Sequence, residues 1–155
     1  MNKVSLRDSQ DTRALNLRVL KQIATFLLKG LLGLKDAEIG FDFVNCKQMA
    51  RINEQYLKHR GSTDVITFHY VDATSDSGAA VRGDIFVCVD EAVRQASAFK
   101  TTWQNEIVRY LVHGVLHLVG ENDITSEQRR KMKRRENLLV GELAQKFSIR
   151  DVEKL

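Results

Sequence analysis

Thr102-Trp-Gln-Asn-Glu-Ile-Val-Arg-Tyr-Leu-Val-His113-Gly-Val-Leu-His117-Leu-Val-Gly120-Glu-Asn-Asp123 is the stretch on which the architecture turns. Ile107, Val108, Leu111, Val112, Val115, Leu116, Leu118 and Val119 recur at helical spacing over much of its circumference. That pattern predicts a largely buried helix from about Thr102 to Gly120. His113 and His117 stand four apart, so they share one helical face a turn apart and can offer ring nitrogens to a single cation. Gly120 supplies the left-handed conformation with which a helix ends. The chain can then turn back so that Asp123 returns as a third ligand. The fourth position stays open for a metal-bound water, which is the pattern of a catalytic zinc and not a structural one.

Paired histidines at this spacing are common, and by themselves they define no site. Inside an apolar helix, however, each imidazole needs a partner, because a buried polar group without one is costly. One shared ion answers that need for both.

At 155 residues the chain is expected to be a single domain, 1–155, large enough for a real core. A hydrophobic content of 43% and a charged content of 28% are those of a soluble globular protein. No apolar run is long enough to span a bilayer. Met1-Asn-Lys-Val-Ser-Leu-Arg-Asp lacks the apolar centre of a signal peptide, so a cytoplasmic location is expected. Cys46 and Cys88 lie far apart, in no ligand spacing, and read as reduced, buried thiols. From Ile124 to Leu155, nine Lys or Arg stand against five Asp or Glu, so this segment carries the whole net charge of +4. Arg129-Arg-Lys-Met-Lys-Arg-Arg135 packs six cations into seven residues. Such a run serves either a polyanion such as RNA or a solvated helix face balanced by Glu127 and Glu136.

Working outward, Val4 to Leu6 reads as a short strand. Asp11 or Thr12 is positioned to cap a core helix running to about Leu32, with Gly30 and Gly33 near its end. Glu38 to Asn45 alternates as a half-buried strand, and Lys47 to His59 returns to helical spacing through Met49, Ile52, Tyr56 and Leu57. Asp64 to Tyr70 and Arg82 to Val89 are strands that can pair antiparallel across the polar segment from Asp72 to Ala80. Asp90 reads as the cap of a helix to about Phe99. Thr125 or Ser126 reads as the cap of the last helix, with Leu138, Leu139, Leu143 and Phe147 turned inward.

Zinc held by two imidazoles and one carboxylate would acidify bound water and act as a Lewis acid toward a carbonyl or a phosphodiester. Asp123 leaves the site with less positive charge than a third histidine would, and it tolerates other divalent cations such as manganese. Helical zinc peptidases place their general base directly after the first histidine. Here that position is Gly114, which argues against peptide hydrolysis. Glu121 could serve as a base, or it could simply be an exposed residue of the turn.

The segment from His113 to Asp123 resembles the signature of the YbeY family of bacterial endoribonucleases, His-Gly-x-Leu-His-Leu-x-Gly-Tyr-Asp-His. The match runs through His113, Gly114, Leu116, His117, Leu118 and Gly120. Two further blocks are similar in order and spacing: Thr63-Asp-Val-Ile-Thr-Phe68, and Gly83-Asp-Ile85 followed by Glu91 and Ala92. Together they cover about Asn53 to Asn137. The resemblance implies a single α/β (α+β) domain, with a small mixed four-stranded sheet, about five helices and a zincin-like metal helix. It also implies a cytoplasmic enzyme with one zinc ion that cuts single-stranded RNA, maturing the 3′ end of small-subunit rRNA and serving ribosome quality control. The small ribosomal subunit would then be a partner.

The chain departs from the family at its last signature histidine, which falls on Asp123, and at its tyrosine, which falls on Glu121. The family's upstream arginine falls on Leu57, with Lys58, His59 and Arg60 nearby. On this reading His113, His117 and Asp123 hold the metal, while Arg60, Arg129, Arg130, Lys133 and Arg134 hold the RNA backbone. Arg60 and Glu121 are the side chains to weigh beside the metal-bound water in catalysis. Asp64 and Asp84 either orient the ligating histidines or cap local turns. His69, at a strand end, and His59, at a helix end, read as surface residues, although His59 could contact a phosphate. Two rival functions remain: a ribosome-assembly factor with a purely structural metal, and a metal-dependent hydrolase of another bond.

Overall fold

The computed structural model describes residues 1–57, 63–70 and 80–155. Four strands form one sheet: β1 (Lys3–Asp8), β2 (Ala37–Val44), β3 (Val65–His69) and β4 (Val81–Cys88). Five α-helices surround it: α1 (Leu17–Phe26), α2 (Cys46–Leu57), α3 (Val89–Phe99), α4 (Trp103–Leu118) and α5 (Ser126–Lys146). The strand order is β1-β2-β4-β3. β1, β2 and β4 run parallel, and β3 pairs antiparallel to β4 with Ile66 opposite Phe86. The mixed four-stranded sheet and its five helices are the expected fold. The expected antiparallel pair is present, although residues 71–79 of its connection lie outside the described residues.

Alternation along the strands separates two apolar faces. Ile39, Phe41, Phe43, Ile85 and Val87 face the main core, where α1, α3, α4 and α5 pack. Val44, Ile66 and Cys88 face the other way, onto Met49 and Ile52 of α2. α4 lies at the centre of the main layer, with Ile107, Val108, Leu111, Val112, Val115 and Leu116 all buried.

The helix meets the sheet most closely at Gly114. A Cβ built there would lie 2.7 Å from the Ile85 side chain of β4. Replacing Gly114 with alanine therefore forces the helix and sheet apart. The expected cost is about 1–3 kcal/mol, seen as a melting temperature lower by roughly 2–12 °C. An unchanged melting curve by circular dichroism would contradict this close contact. The same packing leaves no room for a peptidase glutamate at this position.

Several local expectations are corrected. α1 starts at Leu17 and is capped by Asn16, whose side chain accepts from the Val19 backbone N–H, not by Asp11 or Thr12. The preceding chain is held away from helix, with Leu15 bridging Glu153 and the Thr12 hydroxyl donating to Asp90. After Phe26 the helix widens into a π-turn over Leu27–Leu31. Asp90 lies in the first turn of α3 and is not its cap; it accepts from the Cys46 backbone N–H at 2.6 Å and so joins the starts of α2 and α3. Cys46 is exposed and only Cys88 is buried. Leu138 is 62% exposed, because the buried stripe of α5 runs through Met132, Glu136, Leu139, Val140 and Leu143. At the start of α5, Thr125 and Gln128 form a reciprocal capping box.

Candidate metal centre

α4 ends as its sequence dictates. Gly120 adopts a φ of +101°, a left-handed value that a β-carbon disfavours. Its N–H donates to the His117 carbonyl at 3.0 Å, and the Glu121 N–H donates to the Leu116 carbonyl at 3.0 Å. This pair of bonds closes the helix in a Schellman turn and sends the chain back over its own last turn. Asp123 thereby returns to the histidine face.

The result is a triangle of donor atoms. His113 Nε2 lies 3.0 Å from His117 Nε2. Asp123 Oδ2 lies 3.3 Å from His117 Nε2 and 3.6 Å from His113 Nε2. A tetrahedral ion with metal–ligand bonds of about 2.0–2.1 Å holds its ligand atoms about 3.3 Å apart. The triangle has that size, and no other group of three such residues gathers this way among the described residues. The donor set of two imidazoles and one carboxylate thus fits a divalent metal and leaves one coordination position for a water or a substrate.

Glu136 of α5 is the group that sequence reasoning missed. It is 8% exposed, and its Oε2 lies 2.7 Å from His113 Nδ1, while Arg109 Nη1 donates to its other oxygen at 3.5 Å. A carboxylate on Nδ1 fixes the tautomer that leaves Nε2 free to ligate. The signal was available: Glu136 falls on the apolar stripe of α5, four residues after Met132 and four before Val140. Instead of balancing the basic run, it sits under the site. Burial alone would lower the His113 pKa, but the bond to Glu136 and the charges of Glu136, Asp64 and Asp123 outweigh it. The net effect raises that pKa above the ordinary imidazole value.

The other candidates distribute unevenly. Asp64 lines the clefts beside His113, yet its Oδ1 accepts from the Val65 N–H at 2.8 Å and from the Thr63 hydroxyl. Asp84 accepts from the Tyr70 hydroxyl at 2.7 Å on the other face of the sheet. His69 is exposed at the end of β3. Glu121 is held by Arg135 Nη1 at 2.5 Å, so its carboxylate turns to α5. Arg129 and Lys133 flank a cleft that reaches the triangle, while Arg130 and Arg134 are exposed elsewhere on α5. Arg129 is also tied to the Ile124 carbonyl at 2.6 Å. Leu57, onto which the resemblance places an upstream arginine, lines a second cleft with His113, His117 and Asp123. Lys58, His59 and Arg60 lie outside the described residues.

The chain as a whole is similar to known proteins. The family model described as Endoribonuclease YbeY matches residues 4–144. Endoribonuclease YbeY of Parabacteroides distasonis is 35% identical over 105 residues, covering 68% of this chain and 70% of that protein. Its counterpart in Elusimicrobium minutum is 38% identical over 103 residues, covering 66% of this chain and 72% of that one. The solution structure of TM1509 from Thermotoga maritima aligns over 100% of this chain and 97% of its own, with a TM-score of 0.66 at 21% identity, and so shares the fold. The chain belongs to the YbeY family of endoribonucleases.

Proposed function

We propose that this protein is a single-strand-specific, zinc-dependent endoribonuclease of rRNA maturation, acting near the 3′ end of small-subunit rRNA. The observation that carries the reading is the open donor triangle of His113, His117 and Asp123 in a chain of this family. When bound there, zinc supplies Lewis acidity toward a phosphodiester and lowers the pKa of water. His113 and His117 present their Nε2 atoms from one helical face, and Asp123 adds the anionic ligand. Glu136 keeps the proton of His113 on Nδ1, and Arg109 holds Glu136 in place. An rRNA substrate carries with it a cytoplasmic location and the small ribosomal subunit as a partner. No helix among the described residues is long and apolar enough to cross a membrane.

Arg129, Arg130, Lys133 and Arg134 are the cations of α5 for the RNA backbone, with Arg60 as a further candidate. If these four α5 residues each neutralise one phosphate, affinity for single-stranded RNA should fall roughly fiftyfold between about 50 and about 200 mM salt. The test compares binding and cleavage of a single strand and of its duplex across that range. Cutting confined to the single strand, with a steep salt slope, is expected. Equal cutting of both forms, or binding flat in salt, would sink the reading.

Peptide hydrolysis is disfavoured by a specific contact. The base of helical zinc peptidases would occupy position 114, where the helix rests on Ile85.

A further inference from the structure

Beside the metal triangle, α4 presents Glu106, Arg109, Tyr110 and His113 to a groove that runs between α3 and α5. These residues stand at i, i+3, i+4 and i+7, so they share one face over two turns and lead directly to His113. The groove encloses about 490 Å³, and its walls include Phe99 of α3 and Met132 and Lys133 of α5.

Two features of this groove are left unpartnered among the described residues. The Tyr110 side chain is buried, at 5% exposure, yet its hydroxyl has no hydrogen-bond partner. Buried hydroxyls are almost always paired, and an exception points to a missing ligand or water. Burial, followed by the charges of Asp64, Glu106 and Glu91, holds this phenol protonated, so it remains a donor. The second feature is Phe99, an aromatic ring 70% exposed at the mouth of the groove. The turn that follows it is fixed. Lys100 adopts a left-handed φ of 56°, the Thr101 N–H returns to the Ala96 carbonyl at 2.9 Å, and the Thr101 hydroxyl donates to Glu106 at 2.7 Å. Phe99 is thus presented to solvent by an ordered turn.

We propose that this groove is a nucleobase subsite, in which a base next to the cleaved phosphate stacks on Phe99 and accepts a hydrogen bond from Tyr110. Single strands are held in this way elsewhere, by aromatic platforms beside cations that track the phosphates, and here Arg129 and Lys133 line the same groove as Phe99. The inference rests on RNA being the substrate. A base carbonyl satisfies the orphaned hydroxyl, and the exposed ring gains a stacking partner. The adjoining phosphate is then delivered to the triangle, because His113 and Asp123 line the same groove.

The test uses the full chain with single-stranded RNA in two arms. In the cleavage arm, Phe99→Ala should raise KM about tenfold with kcat little changed, and Phe99→Trp should restore it. Tyr110→Phe, which keeps the ring and the fold, should raise KM by about three- to tenfold and flatten the base preference at the cut. In the binding arm, chelator prevents cutting and fluorescence anisotropy reads affinity; Phe99→Ala should weaken binding by a similar factor, and an abasic nucleotide beside the cut should abolish the difference. Wild-type protein that binds RNA but never cuts it would overturn the endonuclease reading while the binding arm still decides the subsite. Equal affinities of wild type and Phe99→Ala, or a base profile unchanged in Tyr110→Phe, would overturn the subsite.

Discussion

Asp123→Ala should reduce RNA cleavage to background and abolish stoichiometric metal binding, while leaving the melting temperature of the metal-free chain close to wild type. Asp123 is half-exposed and follows a helix that its own Schellman turn closes, so its side chain contributes little to packing. Its removal leaves two imidazoles, and two ligands hold a divalent ion far less firmly than three. Asp123→His, which restores the residue found in the family signature, should retain both metal and cleavage, with a narrower preference for zinc over manganese. Metal content after dialysis and cleavage of a labelled single strand check both variants. An alanine variant with full metal content and full activity would remove Asp123 from the site.

The second large effect concerns Glu136. Substituting a partner that orients a metal-ligating histidine typically costs about 10–100-fold in metal affinity or activity, and Glu136→Gln should fall in that range. The pH dependence has a definite sign. In the metal-free chain the His113 pKa is raised, chiefly by Glu136, against the lowering effect of burial. A proton must leave the ring before Nε2 can bind a cation, so metal affinity declines as pH falls through that raised value. Removing the Glu136 charge lowers the pKa, and the decline moves to lower pH even though affinity at high pH is weaker. Without metal, the same pair stabilises the fold while His113 is protonated, and that contribution is lost as pH rises through its folded pKa. Titrations of metal binding from acid to neutral pH in both proteins check the shift. Coincident midpoints would mean that Glu136 does not govern the His113 proton.

The features that were legible in the sequence are local ones. The metal helix announced itself by apolar periodicity, two histidines on one face and a glycine where the chain must turn. The β3–β4 pair was legible because both strands are short, β-branched or aromatic, and joined by a polar segment. What escaped depends on distant parts of the chain. The parallel placement of β1 and β4 on either side of β2 is set by crossover packing, which strand periodicity does not encode. Glu136 looked like one more charge on a basic helix until α5 was laid against α4, where it meets His113. Leu138 and Leu139 are indistinguishable by type, and only the docking of α5 decides which of them is buried. The start of α1 was misplaced because Asp11, Thr12 and Asn16 are all good caps, and the pairing of Leu15 with Glu153 leaves Asn16 to perform the task.

The most direct measurement of the central claim is cleavage of single-stranded RNA by the purified chain, first with chelator and then after zinc is restored in slight excess. The account predicts that cutting stops with chelator, returns with zinc at one ion per chain, and fails to return in the Asp123→Ala variant. Undiminished cutting by the fully chelated protein would contradict it.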